Sequence, residues 1–188
     1  IKSLNIMYVS IFFLHLLLMA VFVVVPSGLE VEAGIERERH ALAYLGALIL
    51  SVPGIYFLIQ GRRYMSAPTR TLLLYLFVLL LGLVAMSLGG FIGTLLGLLL
   101  FFTGFTALET MLPSLASIYA PAASRGTAMG VFASSQFIGV FFGGMLGGVL
   151  LDQAGVMGVW LGMSALTLMW ATILGVSHLA SPDSIKVV

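Results

Sequence analysis

Three polar side chains stand deep within apolar runs: His15 in "FFLHLLLM", Glu109 in "TALETMLPSL" and Gln136 in "ASSQFIGV". An ionisable group among hydrocarbon side chains is costly unless it is partnered or functional. No basic residue lies near Glu109 in the sequence. A carboxyl group at such a depth can take a proton from one side of a membrane and release it to the other. The plainer alternative is a protonated Glu109 hydrogen-bonded to a neighbouring helix. Thr103, Thr106, Thr110, Pro113 and Ser117 recur at three- and four-residue steps, so they share one helix face, and Glu109 borders it. Thr106 and Thr110 are therefore candidate ligands beside Glu109. Pro113 stands four residues after Glu109, where its ring opposes that turn and its missing N–H frees the Glu109 carbonyl. It is either a hinge or a static bend, and Pro53 in "LSVPGIY" poses the same choice.

His15 shares its face with Tyr8, Phe12, Met19 and Phe22. Such a face can line a site for an apolar or cationic ligand, with His15 as polar handle or second proton site and Tyr8 at its edge. It can equally be helix packing around one satisfied histidine. Gln136 precedes by one turn a line of glycines, Gly139, Gly143 and Gly147, with Gly144 and Gly148 beside it. Glycine at that spacing lets helix backbones approach closely in lipid, predicting either a sliding contact or a static seam. Arg125 opens the same helix, where a cation opposes the helix dipole and calls for a partner such as a lipid phosphate or an acidic group elsewhere.

The elements that must position these residues follow from composition. Of 188 residues, 61% are hydrophobic and 8% charged, whereas a soluble domain carries about 25% charged residues. Mean hydropathy is +1.17. This is the composition of an integral membrane protein. The absence of cysteine excludes disulfides and thiolate metal sites. A formal charge of +1 with no basic cluster gives no sign of nucleic-acid binding. No Ser/His/Asp, His/Glu or paired-Asp arrangement suggests an enzyme, and no cofactor is implied.

Six segments have roughly the 20 apolar residues that a spanning helix needs: 4–25, 41–59, 71–88, 91–118, 127–151 and 156–176. No alternation of polarity supports a membrane barrel, so the expected fold is an all-α bundle of six transmembrane helices. The segment "TLLLYLFVLLLGLVAMSL" is almost wholly apolar and reads as lipid-facing, whereas the first, fourth and fifth segments hold the polar groups and should surround a cavity. Trp160 is placed where an interfacial aromatic belt would sit. Lys2, Arg62, Arg63, Arg70, Arg125 and Lys186 would share one side and Arg37 and Arg39 the other. That excess places both termini in the cytoplasm. The first residue is Ile1, so the chain reads as beginning inside a longer protein.

The run "LETMLPSLASIYAPAASRGTAMGVFASSQFIGVFFGGMLGG" resembles the tenth and eleventh helices of a major facilitator superfamily transporter, in the drug–proton antiporter branch near the YajR-type efflux proteins. Weaker similarity extends back to "LHLLLMAVFVVVP". The resemblance implies the C-terminal six helices of a twelve-helix fold in a bacterial inner membrane, partnered by an absent N-terminal six-helix half. It implies small-molecule substrate and protons as ligands, Glu109 as the proton or substrate acid, and the first, second, fourth and fifth helices facing the cavity. The family's cytoplasmic Gly–Asp–Arg loop signature belongs to the other half, and "GRRYMSAPTR" here lacks its acid. The antiporter helix signature is echoed by Phe142–Gly143 without the proline. Two other readings are a sugar or metabolite transporter and a complete six-helix homodimeric channel or assembly protein. Few hydrogen-bonding side chains favour apolar substrates over sugars.

Overall fold

The computed structural model describes residues 2–61 and 68–177. Arg62, Arg63 and most of "GRRYMSAPTR", like Lys186 in the tail, lie outside the described residues. The fold is an all-α membrane bundle with, among the described residues, five helices long and apolar enough to cross a bilayer. These are α1 (Lys2–Ser27), α2 (His40–Gly61), α3 (Pro68–Ser87), α4 (Gly90–Tyr119) and α5 (Arg125–Val176). Short helical turns at Gly28–Glu32, Arg37–Arg39 and Ala122–Ser124 carry the connections.

The expected fifth and sixth spans thus run on as α5, a 52-residue helix. Straight, it would reach about 78 Å at 1.5 Å per residue, far beyond a bilayer core of about 30 Å. It is not straight. Gly155 has φ 66° and ψ −170°, outside helical geometry, a conformation that an L side chain resists and glycine accepts. Residues 125–154 and 156–176 are therefore two arms. Across the bend they touch: a Cβ built on Gly162 would lie 2.9 Å from the Leu150 side chain. Only one residue leaves the helix, so the "DQAG" stretch expected to connect two spans is mostly helical. At the α3–α4 junction the chain reverses through Gly89 and Gly90, both at positive φ.

Backbone contacts set the order of the bundle. Gly139, Gly143 and Gly147 lie against the backbones of Phe12, Leu16 and Ala20 respectively. The numbers climb by four on both helices, so the first arm of α5 runs parallel to α1. The second arm runs the other way, with Trp160 near Gly28 and Trp170 beside Ser10. Helix α1 is thus held between the two arms and against α4, and it carries the largest share of buried residues of the five. Gly144 and Gly148 do not join the seam; a Cβ on either would meet nothing within 4 Å.

A second glycine seam, absent from the sequence reading, joins α3 to α4. A Cβ on Gly82 would lie 2.8 Å from the Gly97 carbonyl, and one on Gly104 would lie 2.8 Å from the Tyr75 carbonyl. The antiparallel pairing buries Leu72, Tyr75, Leu76, Leu79 and Leu83 and leaves Phe77, Leu81 and Val84 exposed. Helix α3 is therefore only half outward-facing, because its Gly82 and the Gly97 and Gly104 of α4 let the two helices pack closely on that side. Trp160 is likewise buried, at 4% exposure, and points inward. It does not present its ring to an interfacial belt.

Trp170 is fully buried, stacks on Phe13 at 6.2 Å and donates its Nε1–H to Ser10 Oγ at 3.1 Å. Trp170→Phe keeps the stacking and removes the bond, so thermal unfolding in detergent should show a loss of about 0.5–1 kcal/mol. Trp170→Ala also opens a cavity and should cost about 3–5 kcal/mol.

Candidate functional site

The three deep polar residues meet, each supplied by a different helix. His15 of α1 is 6% exposed. Its Nδ1 lies 3.3 Å from the Ile11 carbonyl one turn back, and its Nε2 lies 2.8 Å from Gln136 Nε2 on α5. A carbonyl only accepts, so Nδ1 carries the ring proton. Nε2 then presents its lone pair, and the Gln136 amide donates to it. On the third side, Glu109 Oε2 of α4 lies 3.8 Å from the same Nε2. That oxygen is buried with no hydrogen-bond partner, although the Glu109 side chain as a whole is 35% exposed. The edge of Phe105 closes the ring's remaining side at 5.8 Å.

This arrangement has consistent local causes. A histidine inside a helix can reach the carbonyl four residues back, which favours a proton on Nδ1. The glycine seam brings the α5 backbone against α1 one turn beyond Gln136, close enough for a side-chain amide to reach the ring. The site is thus an imidazole with one lone pair, an amide that occupies it, and a carboxyl oxygen that lacks a partner. Chemically it can hold a proton at two places and pass it between them.

Thr110 Oγ1 donates to the Thr106 carbonyl at 2.7 Å, and Thr110 is exposed, so the pair stays on α4. Thr103 is buried, donates to the Leu99 carbonyl and packs on Gly54 of α2. Tyr8 is two turns before His15, in a groove with Val9, Phe12, Ser135 and Ile138. The aromatic face of α1 does not line one site. Phe12 meets Phe142 of α5, whereas Phe22 meets Tyr44 of α2 and Phe102 of α4. Helix α4 continues through Pro113, and α2 through Pro53. Arg125 is exposed at the first position of α5, and no acidic side chain among the described residues pairs with it. The Arg37–Glu30 and Arg39–Glu36 pairs, each 3.9 Å, are exposed and far from the site in sequence. Phe105 and the Ile11 carbonyl were missed by the sequence reading; the four-residue step from Ile11 to His15 was the available signal for the second.

A helical membrane bundle with a polar cluster shared by three of its helices has the character of a transport protein, and comparison with known proteins agrees: the chain matches part of larger membrane transporters. Over 168 residues, 85% of the chain, it is 34% identical to the inner membrane transport protein YajR of Escherichia coli (strain K12). It is 32% identical over 146 residues, 76% of the chain, to an uncharacterized transporter of Buchnera aphidicola subsp. Baizongia pistaciae (strain Bp). A second Buchnera protein, the uncharacterized transporter BU466 of subsp. Acyrthosiphon pisum (strain APS), is 30% identical over 138 residues, 72% of the chain. The matched regions span only 36%, 37% and 35% of these relatives. No family model matches the chain.

Proposed function

We propose that the chain is the C-terminal six-helix half of a secondary transporter of the major facilitator type, in an inner membrane with both termini cytoplasmic. It works with an N-terminal half to export small lipophilic compounds in exchange for protons, by alternating access. The observation that carries the reading is the meeting of His15, Glu109 and Gln136 from three helices in a largely apolar bundle, with one Glu109 oxygen buried and unpartnered. Intramembrane ionisable groups mark ion and substrate paths. The two arms of α5 supply the fifth and sixth spans. Glu109 takes the proton or meets the substrate, and His15 is the second proton site. Pro113 and the glycine seam of Gly139, Gly143 and Gly147 are where α4 and α5 adjust as the two halves rock.

The test uses the full-length protein in liposomes under an imposed pH gradient, offered lipophilic cations, neutral lipophiles and sugars. Movement of a lipophilic compound that a protonophore abolishes is expected. Movement indifferent to the protonophore would reject proton coupling, and movement of sugars alone would turn the reading to a metabolite transporter.

A further inference from the structure

We propose that Gln136 is a positioning residue that holds His15 as the Nδ1–H tautomer, and that a proton arriving at Nε2 moves His15 from Gln136 on α5 to Glu109 on α4. The inference rests on the reading of Glu109 and His15 as the proton site and assigns the step that links a proton to a helix contact.

The geometry supplies each part. An amide N–H can donate only to a bare Nε2, and Gln136 does so at 2.8 Å. Once Nε2 carries hydrogen, that contact sets donor against donor. The ring then needs an acceptor, and Glu109 Oε2 is 3.8 Å away, buried and unpartnered. The new Nε2–H turns to that oxygen, leaving an imidazolium facing a carboxylate. The proton count closes: one proton is taken up at Nε2, and its loss restores the Gln136 bond.

The surrounding elements leave this choice to two groups. Helix α4 presents Glu109 and, beside it, apolar Phe105. Helix α5 presents Gln136, its Arg125 being at the exposed far end. On α1 itself Tyr8 lies two turns away, and the second arm of α5 meets α1 through Trp170 and Ser10. On α2, Tyr44 stacks on Phe22, two turns from His15. Because Gln136 stands one turn before Gly139, proton uptake removes the polar tie beside the α1–α5 seam and makes one between α1 and α4.

The full-length protein carrying 15N-labelled histidine, in lipid bilayers, reports the ring directly; the His15 signals are those lost in His15→Asn. At alkaline pH the wild-type ring should be a single Nδ1–H tautomer in contact with the Gln136 side-chain amide. Gln136→Leu, and Gln136→Met with its similar length, should populate the Nε2–H tautomer as well. On acidification the amide contact should vanish and one to the Glu109 carboxyl carbon should appear. The proposal is overturned by an Nε2–H tautomer in wild type, by unchanged tautomers in both variants, or by an amide contact that survives ring protonation. None of these readouts needs transport. If they hold while Glu109→Gln leaves transport intact, the functional reading fails and the role of Gln136 stands.

Discussion

Glu109→Gln in the full-length protein is expected to lower proton-driven transport about a hundredfold or more, at every pH at which the wild type works. The substitution keeps size and hydrogen-bonding capacity and removes only the ability to gain and lose a proton. Positioned proton-transfer groups are worth about 10²–10⁴ in rate, and Glu109 is the acid that α4 brings to His15. A buried carboxyl oxygen without a partner is a poor structural element, because nothing offsets its desolvation. Stability of the variant, read by thermal unfolding, should therefore equal or exceed that of the wild type. Unchanged proton-coupled transport across the pH range would show that Glu109 is a packing residue and would remove the main support for the proposed mechanism. A variant that loses transport together with its fold would point to a structural role as well.

The second large effect is expected at the α1–α5 seam. At Gly143 a Cβ would collide with the Leu16 carbonyl and lie 2.8 Å from the Leu16 Cα. These are backbone atoms and cannot turn aside as a side chain would. Gly143→Ala must push the first arm of α5 away from α1, at about 1–3 kcal/mol or more for overpacking, with further loss as the contacts on both sides open. The 2.8 Å Gln136–His15 bond, less than two turns along, should break with it. Thermal unfolding of the detergent-solubilised protein should show the destabilisation, and transport should fall in parallel. Gly144→Ala is the matched control, since a Cβ there meets nothing within 4 Å; it should change stability by less than about 0.5 kcal/mol. Equal effects at the two positions would mean that the seam is not where the structure has it.

Much of this protein was legible residue by residue. Long apolar runs broken by Gly, Pro and charge are local signals, and the expected span limits lie within a few residues of the helix ends. His15, Glu109 and Gln136 stood out because a polar group in a hydrocarbon setting is expensive wherever its neighbours come from. The four-residue step of Gly139, Gly143 and Gly147 marked a close helix contact for the same reason: the spacing lies within one helix. The sequence could not tell that the ladder meets α1, that Gly144 and Gly148 stay open, or that Gly82, Gly97 and Gly104 form a second seam.

The reason is physical. In water a helix declares its buried face by polarity. Here α3 is apolar on every side, and hydrocarbon-facing and protein-facing residues look alike. Which face turns inward is decided by the fit of small residues against a neighbour's backbone, a property of two helices at once. The sequence by itself determined a helical membrane protein with three costly polar groups. Only the tertiary structure decided that one imidazole nitrogen would stand between an amide on α5 and an unpartnered carboxyl oxygen on α4, because that depends on how three helices are rotated about their own axes.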